Sequence, residues 1–393
     1  MTGQQLKNSI LQMAVSGKLV PQDPNDEPAS VLLDRIRVEK EQFVKEGKIK
    51  KEKSPSRIFR GSDNLPYEQI GNQEPICIAD EVPFEIPESW CWVRLSALGE
   101  IVGGGTPKTG DIDCWNNGTI PWLTPADMKY VTGKYVTNGE RYITEHGLRS
   151  SSATMMPAGS VVYSSRAPIG YIAIVANPLC TNQGFKSIVP VDIALSDYLY
   201  YCLMALTPEI QSRASGTTFK EISGTEFGKT LIPLPGLHEQ YLIIDKIEKL
   251  LPFVDDYTVK EKENRKLNIS FPDQLRKSIL QYAVQGKLVP QDPNDEPAST
   301  LLERIRAEKE RLIAAGKIKR DKHESVINRR DNSHYEKIDG VVRCIDNEIR
   351  LRYPSAGRGQ GFVTLVNSAV GRHQLCLNLN SGMEPSRGSL QKI

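Results

Sequence analysis

The chain has 393 residues, of which 39% are hydrophobic and 25% are charged, and its net charge is +2. This composition is that of a globular protein; it excludes general disorder and, at this length, predicts two or three domains. No segment approaches the roughly 18 apolar residues of a membrane-spanning helix, and the seven scattered cysteines, without a CxxC pair, argue against a disulfide framework and a structural zinc site.

Residues 1–60 are predicted to form a helix, a rigid turn and a second helix. They lack the basic and apolar stretches of a signal peptide, which predicts a cytoplasmic protein. Gly17 is placed to end the first helix and Pro28 to begin the second. Residues 5–53 recur as residues 274–322, with 35 of 49 positions identical. The repeat predicts a docking surface that the chain presents twice to the same kind of partner.

Residues 61–236 differ in texture, because short β-rich runs alternate with Gly, Pro and Asn turns. These runs predict strands near Trp90–Leu95, Thr119–Leu123, Ser160–Ser164, Tyr171–Val175 and Ser187–Val189, and a helix near Ser196–Leu206. Between residues 98 and 235, 10 Lys and Arg accompany 11 Asp and Glu. We therefore predict one mixed α/β domain whose phosphate contacts, if it binds DNA, are local rather than spread over a basic face.

Motifs for catalysis are weak in this domain. Gly103–Thr109 lacks the Gly-Lys-Ser/Thr ending of a P-loop and is not GxGxxG, so a flexible turn is its alternative interpretation. The chain has no Asn/Asp-Pro-Pro-aromatic motif of the amino-methyltransferases, and its five histidines lack metal-ligand spacing. We expect neither catalytic nor metal-binding residues.

Residues 237–272 carry apolar side chains at helical spacing and predict a long spacer helix that Pro272 interrupts. Its apolar stripe has to be buried, so we expect it to pair with another long helix. Residues 273–330 contain the second copy of the helical repeat. The predicted fold class is α+β, with one mixed α/β domain flanked by long helical spacer and docking segments.

The middle of the chain contains a set of motifs that is specific as a combination. The motifs are PESWCWVRL at 87–95, GTP at 105–107, IPWLTPADM at 120–128, SSRAPIG at 164–170, TNQGF at 181–185, SGTT at 215–218, and IPLP at 232–235 followed by Glu239-Gln240. Together they resemble a target recognition domain and the entry to the spacer helix in specificity (S) subunits of type I restriction-modification enzymes. The resemblance covers residues 1–349.

The resemblance implies a subunit that catalyses nothing. Its recognition domain reads one half of a bipartite site in double-stranded DNA, while its helices set the spacing of the half-sites and dock methyltransferase (M) subunits. The M subunits carry AdoMet and methylate adenine at N6, and a restriction (R) subunit uses ATP and Mg to cleave unmodified DNA. We expect this chain to bind none of these cofactors itself.

Candidate DNA-reading residues follow from the chemistry of base edges. Arg166 and Gln183, in turn-rich loops, suit guanine and adenine, which are read by paired hydrogen bonds. The remaining candidates for DNA contacts, chiefly to phosphates, are Thr106, Lys108, Lys129, Ser165, Lys186, Thr217, Thr218 and Lys220. The alternatives are a turn cap for Gln183 and simple hydration for the lysines. Trp90, Trp92 and Trp122 are expected in the core.

The chain departs from the family pattern after the second helical copy. Residues 331–349 parallel the segment after the first copy and are interpreted as the start of a missing second recognition domain. Residues 350–393 show no family motif and contain six Lys and Arg against one acid. Codons allowed for this segment can encode Pro-Phe-Glu-Ile-Pro in another frame, as at residues 83–87, so we hypothesise an out-of-frame tail. The alternative is a basic DNA-binding tail.

A chain with one recognition domain has two possible fates. A homodimer would restore two recognition domains and read an inverted repeat of one half-site, or truncation would abolish activity. Two other classes of function also stay open. A free-standing helical scaffold would lack sequence-specific, salt-sensitive DNA binding, and an autonomous methyltransferase would bind AdoMet as an isolated chain.

Overall fold

A computed structural model describes the chain over residues 1–52, 55–216 and 220–349. The predicted tail, residues 350–393, lies outside these ranges. The described residues divide into two compact units, the first ending at Arg265 and the second beginning at Lys266. The combination of a β-rich domain with a long helix confirms the predicted α+β class. Across the described residues, no helix is both long enough and apolar enough to cross a membrane.

The elements are numbered in chain order. The helices are α1 (Gly3–Val15), α2 (Ala29–Lys45), α3 (Leu95–Leu98), α4 (Glu145–Arg149), α5 (Ser196–Ser212), α6 (Gly224–Gly228), α7 (Leu237–Val284) and α8 (Ala298–Ala314). The strands are β1 (Ser56–Arg60), β2 (Pro66–Ile70), β3 (Ile76–Cys77), β4 (Cys91–Arg94), β5 (Gly99–Gly103), β6 (Ile120–Leu123), β7 (Tyr135–Val136), β8 (Arg141–Ile143), β9 (Val161–Tyr163), β10 (Ile172–Val175), β11 (Cys180–Thr181), β12 (Lys186–Pro190), β13 (Leu231–Leu234), β14 (Ser325–Arg330), β15 (Ser333–Ile338) and β16 (Val341–Cys344).

The first helical copy forms the two predicted helices, with the predicted Gly17 just after the first and Pro28 just before the second. Thr2 and Gln5 form a reciprocal capping box at the start of α1. Gly17, at a φ of +69°, follows the end of α1, and the amide of Lys18 donates to the carbonyl of Met13 at 2.9 Å. This is the Schellman arrangement, which favours glycine because the left-handed conformation is costly for other residues. The apolar faces of α1 and α2 are buried in the core of the first unit.

The β-rich domain, predicted above as the recognition domain, contains three mixed or antiparallel sheets in addition to β1-β2-β3. The largest has the strand order β5-β12-β9-β10-β7, in which only the β10–β7 pair is parallel; the others are β11-β6-β8 and β13-β4. The core includes the fully buried Tyr163, Phe185 and Phe227. The five predicted strands and the predicted helix over 196–206 are present, with bounds that differ by a few residues.

The spacer helix α7 corrects one expectation, because it runs through Pro272 and ends at Val284. A proline inside a helix removes one hydrogen bond and leaves a carbonyl without its partner. Pro272 is exposed, and so is Asn268, whose carbonyl loses that partner, so water can satisfy the group. The apolar face of α7 was expected against another long helix. In the first unit it is buried instead with α1 and the recognition domain.

The second unit repeats the first copy without burying it. The sheet β14-β15-β16 has the order of β1-β2-β3. However, α8 has no buried residue. Ile305 is 45% exposed, whereas the matching Ile36 is 1% exposed. Closely similar sequences therefore carry a covered apolar stripe in one unit and an uncovered stripe in the other.

Candidate nucleic-acid interface

Two turns of the recognition domain meet at the ends of β5 and β11. The amide of Gly105 donates to the carbonyl of Thr181 at 2.9 Å. A Cβ at Gly104 would lie 1.9 Å from the carbonyl oxygen of Asn182, so the turns approach this closely only with glycine there. The contact brings together two predicted residues, since the Thr106 hydroxyl donates to the Gln183 side-chain oxygen. Both side chains are exposed.

A second pair of predicted residues converges on one carboxylate. Arg166 Nη1 lies 3.5 Å from Glu221 Oε2, and Lys186 Nζ lies 3.5 Å from Glu221 Oε1. The Lys186 ammonium also donates to the carbonyl of Gln183 at 3.4 Å, which joins this pair to the Thr106–Gln183 contact. We call Thr106, Arg166, Gln183, Lys186 and Glu221 the basic cluster. The cluster has one excess positive charge, beside the Gln183 amide and the Thr106 hydroxyl.

Ser165 supports the basic cluster from below rather than facing solvent. Its amide donates to the carbonyl of Gly184 at 2.8 Å, and its carbonyl accepts from the amide of Ile222 at 3.1 Å. Its side chain is fully buried, and its hydroxyl has no hydrogen-bond partner in the described part of the chain. This placement favours a role in joining three loops over a direct phosphate contact.

The other predicted residues are spread around the cluster. Lys220 is exposed and directly precedes Glu221. Lys108 and Lys129 are also exposed, on the loop after β5 and on the short helical turn Asp127–Tyr130 respectively. Thr217 and Thr218 lie outside the described residues.

The tryptophans occupy the core, as predicted. Trp90, Trp92 and Trp122 are 3%, 7% and 3% exposed. The indole of Trp122 donates to the carbonyl of Gly105 at 2.9 Å. It therefore holds the Gly-rich loop of the interface in place instead of stacking on a base.

Glu221 is the functional candidate that the sequence did not reveal. An acidic residue after Lys220 has no motif to mark it, and its role depends on contacts with two residues that are distant in sequence. Its carboxylate pairs with both Arg166 and Lys186. The pairs are partly exposed, with 36% of the Arg166 side chain accessible, so they are weak enough for another anion to displace them.

Comparison with known proteins gives a family match over the part of the chain that contains the basic cluster. Residues 87–265 match the family described as "Type I restriction modification DNA specificity domain". The MjaIX specificity subunit of Methanocaldococcus jannaschii is 38% identical over 185 residues, which cover 47% of this chain and 42% of that protein. The EcoAI specificity subunit of Escherichia coli is 32% identical over 365 residues, covering 81% of this chain and 57% of that protein.

The chain spans about half the length of these relatives. Among solved structures, it is similar to the HsdS subunit from Thermoanaerobacter tengcongensis, with a TM-score of 0.36 and 24% identity. That match covers 52% of this chain and 47% of the other.

Proposed function

The chain belongs to the family of type I restriction-modification specificity subunits, and from this premise we propose that it reads one half of a bipartite site in double-stranded DNA. Members of this family are non-catalytic specificity subunits. The observation that carries the proposal is the convergence of Thr106, Arg166, Gln183 and Lys186 on one surface of the recognition domain.

The cluster offers the two kinds of contact that DNA reading requires. The Arg166 guanidinium donates to guanine O6 and N7, and the Gln183 amide pairs with adenine N6 and N7. Lys186 and the nearby Lys220 hold phosphates and fix the register. This division assigns specificity to Arg166 and Gln183 and salt-sensitive affinity to the lysines.

The helical segments serve the M subunits in this proposal. The inner face of α2 is buried, so a partner docks on its outer face. A groove of about 660 Å³ lies there, lined by Val31, Asp34, Arg35, Val38, Glu39, Gln42 and Phe43. Val38 is 70% exposed within it. AdoMet belongs to the docked M subunits, and ATP and Mg to the R subunit.

The exposed stripe of the second copy supports action as a homodimer. In the first copy Leu32 and Ile36 are each 1% exposed, but the matching Leu301 and Ile305 are 48% and 45% exposed. Exposed apolar residues whose counterparts in a similar segment are buried mark a surface that needs a cover. Two copies related by a two-fold axis would cover both stripes and present two recognition domains.

The test is selection of binding sequences from randomised duplex DNA by the full chain. We expect one half-site to be enriched, and Arg166→Ala to lose preference at a single guanine. The loss of one paired contact, about 1–3 kcal/mol, corresponds to about 5- to 150-fold in discrimination. Arg149→Ala is the matched control, because Arg149 is 82% exposed in the same domain and lies outside the cluster. Failure to enrich any sequence would contradict the proposal.

A further inference from the structure

A group of metal-binding side chains lies in the recognition domain beside the loop that carries Lys108. Asp111, Cys114 and His146 each offer one ligand atom, and these atoms lie within 4.8 Å of one another. His146 Nε2 is 3.6 Å from Asp111 Oδ2. His146 is far from the other two in the sequence, so their spacing gave no metal motif.

The backbone holds the two segments of this group together. The Thr144 amide donates to the carbonyl of Cys114 at 3.0 Å, and the Thr144 hydroxyl donates to the carbonyl of Asp113 at 2.6 Å. Thr144 also caps α4, which carries His146. A Cβ at Gly147 would lie 2.6 Å from the carbonyl oxygen of Cys114. The close approach of α4 to the 3₁₀ turn Ile112–Cys114 therefore depends on glycine.

The three donors match one class of cation. A thiolate, an imidazole and a carboxylate are ligands that Zn²⁺ accepts together, whereas Ca²⁺ and Mg²⁺ take oxygen ligands. Metal–ligand distances of about 2.0–2.3 Å in a tetrahedral site place donors about 3.4–3.8 Å apart. The group needs to contract by only about 1 Å to reach this geometry, and water would complete the fourth position.

The burial of the group suits an ion that enters from solvent. Cys114 is 1% exposed, while the side chains of His146 and Asp111 are 59% and 37% exposed. The 3.6 Å contact between His146 and Asp111 accounts for those two residues but not for the thiol behind them. The Cys114 sulfur otherwise contacts the Ser150 hydroxyl at 3.5 Å. This is a weak interaction, which a bond to a metal ion could replace.

We propose that Asp111, Cys114 and His146 bind Zn²⁺ and that the ion clamps the loop carrying Thr106 and Lys108 onto α4. The Lys108 carbonyl already accepts from the amide of Asp111 at 3.2 Å and from the indole of Trp115 at 3.0 Å. An ion on Asp111 would therefore fix the loop that carries Thr106, which belongs to the basic cluster. The effect of this clamp on DNA binding rests on the proposed function, but the metal site itself does not.

The test measures metal binding by the metal-free full chain without DNA. Zn²⁺ is titrated in competition with a chromophoric chelator, and Co²⁺ is used to detect a thiolate-to-metal absorption band. We expect one Zn²⁺ per chain, a thiolate band with Co²⁺, and a higher melting temperature with Zn²⁺. His146→Gln and Cys114→Ser should each weaken Zn²⁺ binding at least about tenfold.

Matched controls separate this site from other thiols and imidazoles. Cys77 and His238 are exposed and lie outside the group, so Cys77→Ser and His238→Gln should leave Zn²⁺ binding unchanged. His146→Gln alters an exposed side chain, so it remains informative if Cys114→Ser does not fold. Unchanged Zn²⁺ affinity in His146→Gln, a Co²⁺ complex without the thiolate band, or equal competition by Ca²⁺ would overturn the proposal. Each outcome is independent of whether the chain reads DNA.

Discussion

Replacing Glu221 by Gln should strengthen DNA binding by the full chain. The amide keeps the size of the side chain and removes the charge that lies 3.5 Å from both Arg166 and Lys186. The backbone of residue 221 is held separately, because its amide donates to the carbonyl of Ser215 at 2.8 Å. The loop should therefore keep its conformation while two cations lose their competitor.

The magnitude follows from the exposure of the two ion pairs. Their side chains are between 18% and 37% exposed, and pairs of this kind contribute up to about 1 kcal/mol each. The free energy of unfolding should therefore fall by no more than about 2 kcal/mol. Each new phosphate contact steepens the plot of log affinity against log salt by about 0.9. Of the two released cations, Lys186 is the one assigned to a phosphate, so Glu221→Gln should steepen the plot by up to about 0.9.

The assay is fluorescence anisotropy of a labelled duplex between about 50 and 200 mM salt. Glu27→Gln is the control, because Glu27 has similar exposure and pairs with Arg35 outside the recognition domain. It should change neither slope nor affinity. A slope for Glu221→Gln that is unchanged or shallower than that of the unaltered chain would refute the assignment of these cations to DNA.

Three stability predictions use other contacts of the fold. Arg94→Met leaves the Glu68 carboxylate, 8% exposed and 2.5 Å from the guanidinium, buried without a cationic partner and with the Ser56 hydroxyl as its remaining donor. This should cost about 3–5 kcal/mol in chemical denaturation. Ile36 is 1% exposed, so Ile36→Ala should lower the free energy of unfolding by about 2–5 kcal/mol. The matching Ile305 is 45% exposed, so Ile305→Ala should change it by less than about 0.5 kcal/mol and should weaken self-association in sedimentation. Burial raises the pKa of Glu239 above 4.5, against the hydrogen bonds that lower it. The protonated Glu239 carboxyl therefore stabilises the fold below pH 4.5, and this stabilisation is lost as pH rises through the raised pKa. The melting temperature of Glu239→Gln, relative to that of the unaltered chain, should increase over the same pH range.

Each of these predictions has an outcome that contradicts it. Arg35→Met removes an exposed ion pair and should cost at most about 1 kcal/mol; equal losses for Arg94→Met and Arg35→Met would deny the buried pair its role. Unchanged self-association in Ile305→Ala would argue against the exposed stripe as a dimer surface. A pH-independent difference between Glu239→Gln and the unaltered chain would show that burial does not control this carboxyl.

Local signals in the sequence predicted most of the fold. Gly17 after α1 and the prolines before α2 act over a few residues, so the helical copies were visible. The β-rich runs between Gly and Asn turns likewise predicted strands at the observed positions. Pro272 misled, because a proline disfavours a helix interior, yet α7 continues through it where the freed carbonyl of Asn268 is exposed to water. That exposure is not written in the local sequence.

The candidate interface was only partly predictable. Arg166 and Gln183 were predicted from residue type and loop context, but the residues that surround them were not. Glu221 joins the basic cluster through loops that are distant in sequence, and Ser165 turned out to be buried between them. The Asp111–Cys114–His146 group depends on the pairing of α4 with a 3₁₀ turn. Contacts of this kind arise from tertiary packing and leave no periodic pattern.

The most direct test of half-site reading is single-molecule methylation sequencing. DNA is taken from cells that express the chain, or its Arg166→Ala variant, together with the matching methyltransferase subunit. We expect N6-methyladenine in a bipartite motif whose halves are inverted repeats, and loss or relaxation of that motif in the variant. The absence of any methylated motif with the unaltered chain, or an identical motif with Arg166→Ala, would contradict DNA reading by the basic cluster.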